Sequence, residues 1–235
     1  MDKKDFLQLL LQKGAVRMAQ HEKEFFVFKS GRRSPNMINL RGMTDGESLE
    51  GLKKSYADRI KQLLDEGKIE DFDFIFGPAY AGISIACLAC EGLYELHGLN
   101  KRYLYDRKES KGYGDKAMDD AIVGAGHFTP GAKILMVDDV ITTGSTKTDA
   151  MKKLGALGEH KIVGLVLAVD RQERLGDAER AEEKSATEQL EDAGVKVFPI
   201  LTMKDIFSIM NEYLDLQDKI NWIEYYRKYG AVKLG

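Results

Sequence analysis

The chain has few cysteines and few prolines, two and four among 235 residues, which excludes a small disulfide-stapled scaffold and a proline-rich linker protein. Cys87 and Cys90 form a Cys-x-x-Cys within an apolar, helix-like stretch. No second pair or neighbouring histidine completes a zinc set, so both are expected as core thiols of a reduced, cytosolic protein. Cations do not dominate either: 35 Lys and Arg stand against 38 Asp and Glu, a net charge of −3, with no dense basic run to hold nucleic acid or an anionic membrane. Met1-Asp2-Lys3-Lys4-Asp5 mixes charges and precedes no long apolar run, so neither a secretory leader nor a membrane span is expected and the protein is placed in the cytoplasm. Repeats, low-complexity tracts and convincing interdomain linkers are absent as well. With 43% hydrophobic residues the chain can bury a sizeable core, and it reads as a single α/β domain over residues 1–235, of which 1–45 hold an N-terminal helix and a hairpin.

What is present centres on Ile134 to Thr146, where four apolar residues run into two acids and then a small hydroxylic loop. Ile134 to Val137 is apolar at every position and β-prone, as in a parallel strand covered on both faces. Thr142, Thr143, Gly144, Ser145 and Thr146 follow, and then a helix-compatible run from Lys147 to Leu157. Backbone N–H groups at such a helix start, aided by the helix dipole, form a phosphate site. Asp138 and Asp139 stand just before it, where a carboxylate can accept from sugar hydroxyls. Alternation along a strand lets only one of them reach a given hydroxyl. Phosphate at one end and a polyol at the other describe a ribose 5-phosphate; the alternative is a strand, an Asx turn and a helix cap with no ligand.

Val137-Asp138-Asp139-Val140-Ile141-Thr142-Thr143-Gly144-Ser145 resembles the phosphoribosyl pyrophosphate (PRPP) motif of type I phosphoribosyltransferases. The resemblance implies that Asp138 to Thr146, with Val140 and Ile141, bind PRPP. Four further segments, in the same order along the chain, are similar to orotate phosphoribosyltransferases. Lys29-Ser30-Gly31-Arg32-Arg33-Ser34-Pro35 is by itself a solvated basic turn between strands Phe25–Phe28 and Met37–Leu40. Its likeness to the family segment puts Lys29 on the pyrophosphate side and Met37 and Ile38 on the pyrimidine. Many relatives have an aromatic pair there, so aliphatic contact replaces stacking. Gly77-Pro78-Ala79-Tyr80-Ala81-Gly82 follows a strand at Phe72–Phe76 and precedes a helix from Ile83. Its glycine spacing is near that of a P-loop, but Ile83-Ser84 stands where Lys-Ser/Thr is required. The family likeness makes it the pyrophosphate loop, with Tyr80 and Ala81 against PRPP; Ala81 replaces a common lysine.

A long polar stretch then runs from Asp106 toward Phe128 after a strand at Tyr103–Tyr105, a length that fits a lid or a disordered insertion. Its Gly112-Tyr113-Gly114 does not lead from a strand into a helix, so a dinucleotide fingerprint is discounted. Arg107-Lys108-Glu109-Ser110-Lys111 resembles the catalytic lid of the family, which assigns Arg107, Lys108 and Lys111 to the pyrophosphate as catalytic cations. Tyr113, where many relatives have histidine, touches PRPP in the same comparison and supplies no imidazole acid. Asp170-Arg171-Gln172-Glu173, at the end of a strand over Ile162–Val169, reads alone as a solvated turn. By resemblance Arg171 holds the orotate carboxylate, and Thr142 also borders the base.

The resemblance covers nearly the whole chain. It implies a doubly wound, mostly parallel sheet with a small N-terminal hood, transfer of ribose 5-phosphate from PRPP to orotate, Mg²⁺ carried mainly on PRPP oxygens with no protein metal site, and a homodimer that shares its lid across the interface. A purine-specific relative would keep Asp138 to Thr146 without needing Lys29 to Asn39 or Arg107 to Lys111. A PRPP-sensing gene regulator would want a DNA-binding module or basic face, and neither is apparent. Elsewhere, Thr44-x-x-Glu47 is a candidate capping box before a helical stripe of Leu49, Leu52, Tyr56, Ile60, Leu63 and Leu64. Phe6 to Val16 reads as an amphipathic helix, Glu179–Asp192 as a charged surface helix, Val195–Ile200 as an edge strand, and Met203–Lys228 as mostly helical.

Overall fold

The computed structural model describes every residue except Gln20, 108–121, 142–144 and Ala156, and describes 145–148 as backbone only. Its framework is a six-stranded sheet. In chain order its strands are β5 (Phe74–Gly77), β6 (Arg102–Asp106), β7 (Ile122–Val123), β8 (Ala132–Val140), β9 (His160–Asp170) and β12 (Val197–Thr202). They lie side by side as β12-β9-β8-β5-β6-β7. All neighbours pair in parallel except β6 and β7, which run antiparallel through Tyr105↔Val123 and Asp106↔Ile122. The mostly parallel doubly wound sheet implied by the sequence is therefore present, with β12 at the expected edge.

Alternation along β8 divides the core. Ile134 and Met136 pack with Phe74, Phe76, Leu104, Leu154, Leu165 and Leu167. Leu135 and Val137 pack on the opposite face with Tyr56, Ile60, Ile85, Ala86 and Val166. That two-sided burial, about 1.5 to 3 kcal/mol for each large apolar side chain, is why β8 carries an unbroken apolar run. The covering helices include α1 (Lys3–Gln12), α2 (Gly46–Asp65), α3 (Ala81–His97), α4 (Ser145–Gly155), α5 (Ala186–Asp192), α6 (Met203–Met210) and α7 (Leu216–Tyr229). Strand β8 runs three residues past the expected Val137, so both acids sit on the strand end, and α3 and α4 each begin two residues earlier than expected.

Several expectations are corrected. The hood is two short ribbons: β1 (Val16–Met18) with β4 (Asn36–Ile38), and β2 (Phe26–Val27) with β3 (Arg33–Ser34). The partner of the Phe26 strand thus lies inside the expected turn, and the Met37 strand pairs with Val16–Met18, which begins at the last residue of the expected first helix. Helix α2 is capped by Asp45, whose carboxylate accepts from Ser48 N at 2.8 Å, and not by Thr44. The stretch 179–192 is not one helix. Strands β10 (Arg174–Gly176) and β11 (Ala181–Ser185) form a hairpin, closed by Gly176 at φ +100° and by Asp177, which accepts from Glu179 N and Arg180 N. Only from Ser185, whose side chain and Glu188 form a capping box, does α5 begin. Cys87 is exposed on α3 and Cys90 half-buried, donating to Lys101 O at 2.9 Å, so Cys87 is no core thiol. Among the described residues no helix is long and apolar enough to cross a membrane.

Candidate active site

Four adjacent parallel strands deliver their carboxyl ends to one edge of the sheet, where ligands of open α/β sheets bind. Strand β5 ends in the loop of Pro78, Ala79 and Tyr80, and α3 rises immediately from Ala81. The strand and helix meet closely here: a Cβ on Gly77 would stand 1.9 Å from Gly82 O, and one on Gly82 would stand 2.6 Å from Pro78 Cδ. Two glycines are therefore needed to fold the loop back on itself. Tyr80 projects, 70% exposed, while Ala81 is half-buried in the first turn of α3.

Beside it, β8 presents the acid pair. Asp138 is buried and its Oδ1 accepts from Asp139 N at 2.9 Å; Asp139 is half-buried and its Oδ1 accepts from Val140 N at 2.6 Å. Each carboxylate thus fixes the next peptide as the chain leaves the sheet. From beneath, Tyr56 of α2 donates its hydroxyl to Asp138 O at 2.7 Å. Tyr56 is fully buried, and burial, reinforced by the charges of Asp139 and Asp138, pushes its phenol well above the ordinary range, so it remains a donor. Val140 is half-buried and Ile141 buried. Helix α4 starts at Ser145 and Thr146.

Strand β6 ends at Asp106, a buried acid that accepts from Ala79 N at 2.6 Å through Oδ1 and from Lys153 Nζ of α4 at 2.6 Å through Oδ2. Lys153 also donates to Arg107 O at 2.7 Å.

At the end of β9 lies Arg171, 7% exposed. Its Nε and Nη2 donate to Glu173 Oε1 at 3.1 and 2.5 Å, and its guanidinium stacks 4.0 Å from the Phe28 ring of the hood. Burial opposes the charge, but Glu173 beside it prevails and holds the guanidinium above its usual value. Tyr226 donates to Arg171 O at 2.7 Å and Tyr225 to Glu173 Oε2 at 3.2 Å, so α7 braces the turn. Burial first, then Glu173, pushes both phenols up. The hood is tied to the same region by Arg32. This side chain is 3% exposed and donates to the carbonyls of Asp177, Arg174 and Leu175 at 3.0, 2.7 and 2.9 Å while lying over Tyr229.

Of the residues named from sequence, the structure sets Tyr80, Ala81, Arg107, Asp138, Asp139, Val140, Ile141 and Arg171 at these strand ends. Lys29 is exposed on the hood next to Phe28, Met37 is half-buried, and Ile38 is buried in the core opposite Val16. Lys108, Lys111, Tyr113, Thr142, Thr143 and Gly144 lie outside the described residues, as do the side chains of Ser145 and Thr146. Tyr56, Asp106, Lys153, Phe28 and Glu173 were not singled out beforehand as parts of the site. Only Glu173 carried a signal, as a charge two residues from Arg171; Tyr56 sat in a helical stripe indistinguishable from core.

A parallel sheet whose strand ends gather a glycine-folded loop, an acid pair running into a helix start, and an arginine beneath a hood defines the type I phosphoribosyltransferase class. No family model matches the chain. Sequence relatives are explicit: it is 36% identical over 203 residues to the orotate phosphoribosyltransferase of Bifidobacterium adolescentis, covering 86% of this chain and 83% of that one. It is 35% identical over 232 residues to that of Kluyveromyces lactis, covering 97% and 95%. The crystal structure of orotate phosphoribosyltransferase from Francisella tularensis superposes with a TM-score of 0.77 at 28% identity, covering 96% of this chain and 99% of that one. The chain belongs to the orotate phosphoribosyltransferase family.

Proposed function

We propose that this chain transfers ribose 5-phosphate from PRPP to orotate, giving orotidine 5′-monophosphate and pyrophosphate, the step that commits a preformed pyrimidine to the UMP pool. The observation that carries the reading is the placement of Asp138 and Asp139 on one strand end, the Ala79–Tyr80 loop on the next, and Arg171 under Phe28 on the other side. In this reading the acid pair accepts from the ribose hydroxyls, and the helix start at Ser145 takes the 5-phosphate with its backbone N–H groups. The Ala79–Tyr80 loop and Lys29, Arg107, Lys108 and Lys111 receive the pyrophosphate. Arg171 anchors the orotate carboxylate, and Phe28, Met37 and Ile38 border the ring with Thr142. Positive charge grows on the anomeric carbon as pyrophosphate leaves, so cations fixed around the leaving group lower the barrier, each contact by a few kcal/mol.

Magnesium fits this site through the substrate. Among the described residues no group of three or more His, Cys, Asp or Glu converges to hold an ion. Asp138 and Asp139 each already spend one oxygen on a backbone N–H. When bound, Mg²⁺ would neutralise the leaving pyrophosphate, held mainly through PRPP oxygens. The reading also makes residues 1–235 one cytoplasmic unit, with 1–45 including the N-terminal helix and the hood. It works as a homodimer in which the segment around Lys111 serves the neighbouring site.

The direct test incubates the protein with PRPP, Mg²⁺ and a panel of bases and follows pyrophosphate release. Orotate-dependent release is expected. Release with adenine or hypoxanthine and none with orotate would overturn the assignment in favour of a purine enzyme. PRPP binding without release on any base would favour a sensor.

A further inference from the structure

A buried carboxylate beside a loop meant for pyrophosphate is electrostatically out of place. Asp106 is 6% exposed at the end of β6, and one of its oxygens receives the backbone N–H of Ala79, in the loop proposed to take pyrophosphate. An unpaired charge in so dry a position would repel a polyanionic ligand, and the low local dielectric would amplify that repulsion. The structure supplies the counter-charge from far along the chain. Lys153, on the helix that begins at Ser145, places Nζ 2.6 Å from the second Asp106 oxygen and 2.7 Å from Arg107 O. One ammonium group therefore ties α4 to the end of β6 and, through Asp106, to the loop after β5.

We infer that Asp106 and Lys153 form a positioning pair for PRPP: Asp106 accepts the Ala79 N–H and so pins the loop on the pyrophosphate side, and Lys153 cancels the carboxylate's charge while fixing the peptide of Arg107. Neither residue touches substrate in this scheme. The inference rests on the proposed phosphoribosyl transfer, because it takes the Ala79 loop as the pyrophosphate side. Lys153 has two acceptors within 2.7 Å, so its role is to neutralise and orient, not to act as a free cation for the ligand. Asp106 also faces Ile122 across the β6–β7 ladder, so the strand end that carries it is held from both sides.

The charge account makes a prediction that a purely structural role does not. Lys153→Met leaves the Asp106 carboxylate uncompensated next to the pyrophosphate loop. The Michaelis constant for PRPP should rise about tenfold or more, the loss expected for one charged hydrogen bond, while that for orotate stays within about twofold. Asp106→Asn in the Lys153→Met background removes the repulsion and retains an acceptor for Ala79 N–H, so PRPP affinity should return to within about threefold of the parent. Lys153→Arg, which can reach both acceptors, should stay close to the parent. A structural pair would behave oppositely, with the double variant no better than Lys153→Met or with both substrates affected alike; either result overturns the inference. Calorimetric binding of PRPP with Mg²⁺ repeats the comparison without orotate, so a failure of base specificity is not confused with a failure of the pair. Amide exchange at Ala79 and its neighbours in the ligand-free protein completes the test: Asp106→Ala should speed it, and unchanged exchange would refute the pinning of Ala79 even if the parent turned over no base.

Discussion

Replacing Arg171 separates what this residue does for the fold from what it is proposed to do for orotate. Its guanidinium makes a two-point contact to Glu173, stacks on Phe28, and is almost completely enclosed. Arg171→Met keeps much of the aliphatic volume but strands Glu173, itself only 12% exposed, with Tyr225 at 3.2 Å and Arg32 Nη1 at 3.8 Å as remaining partners. Breaking a buried pair from one side costs about 3 to 5 kcal/mol when nothing compensates, and Arg32 reduces that here. A stability loss of roughly 2 kcal/mol is the expected outcome in urea titration, and adding Glu173→Gln should recover most of it, because the stranded charge is then gone. Orotate affinity should not recover. A charge-assisted contact from guanidinium to the orotate carboxylate is worth about 2 to 4 kcal/mol, or roughly 30- to 1,000-fold in the orotate Michaelis constant, in both the single and the double variant. The PRPP constant should move less than about threefold. If the double variant regains orotate affinity along with stability, or if both substrates weaken equally, Arg171 only braces the turn.

Four other perturbations follow from the same geometry. Tyr56→Phe removes the hydroxyl that α2 donates to Asp138 O, and should cost about 1 to 2 kcal/mol in urea titration and weaken PRPP more than orotate; a neutral result would show that the acid pair holds itself in place. Gly82→Ala forces a Cβ to 2.6 Å from Pro78 Cδ, so a loss of about 1 to 3 kcal/mol with a raised PRPP constant is expected, and wild-type behaviour would mean the loop has slack. Asp170 has its carboxyl pushed up by burial, partly offset by Gln172 N–H and Thr187; its contribution is present at low pH and is lost as pH rises through the raised value. Asp170→Asn should therefore gain thermal midpoint over the parent as pH climbs from about 4 to 7, and a constant gap across that range would contradict the burial account. Mixing inactive Lys111→Ala with inactive Asp138→Asn subunits should restore some activity if the lid serves the neighbouring site, and exchange without recovery would assign it to its own chain.

How much of this was readable in sequence follows from the range over which each pattern acts. The β8 strand and its acids were legible because a run buried on both faces must be apolar at every position, and its abrupt end in Asp138 and Asp139 marks the sheet edge. The hood ribbons were not, since strands of two or three residues leave no period to detect; the partner of Phe26 proved to be Ser34, inside what reads as a turn. The stretch 179–192 misleads because Ala, Glu, Arg and Lys are strong helix formers, while Gly176 at positive φ and the Asp177 turn impose a hairpin and Ser185 delays the helix start. Arg32 and Arg33 look equivalent in a basic turn, yet one is buried against three carbonyls and the other lies on the surface, because side chains of adjacent residues in an extended segment point in opposite directions.

The acids of the site show the same limit in sharper form. Asp138 and Asp139 announce themselves because the groups they organise are adjacent in sequence, each accepting from the very next N–H. Asp106 does comparable work on Ala79 and Lys153, but those partners lie 27 residues upstream and 47 downstream, and no local spacing encodes them. Nor does the family pattern, which directs attention to the cation missing at Ala81. The geometry gives that absence a physical sense. With Ala79 N–H drawn toward Asp106 and Lys153 spent on cancelling that acid, the β5 loop contributes peptide dipoles and no net charge. Under the proposed reaction, the positive charge that departing pyrophosphate requires would then be left to Lys29, Arg107, Lys108, Lys111 and a magnesium ion. Under that proposal product release is favoured by such a division, because a loop without fixed positive charge holds pyrophosphate less tightly.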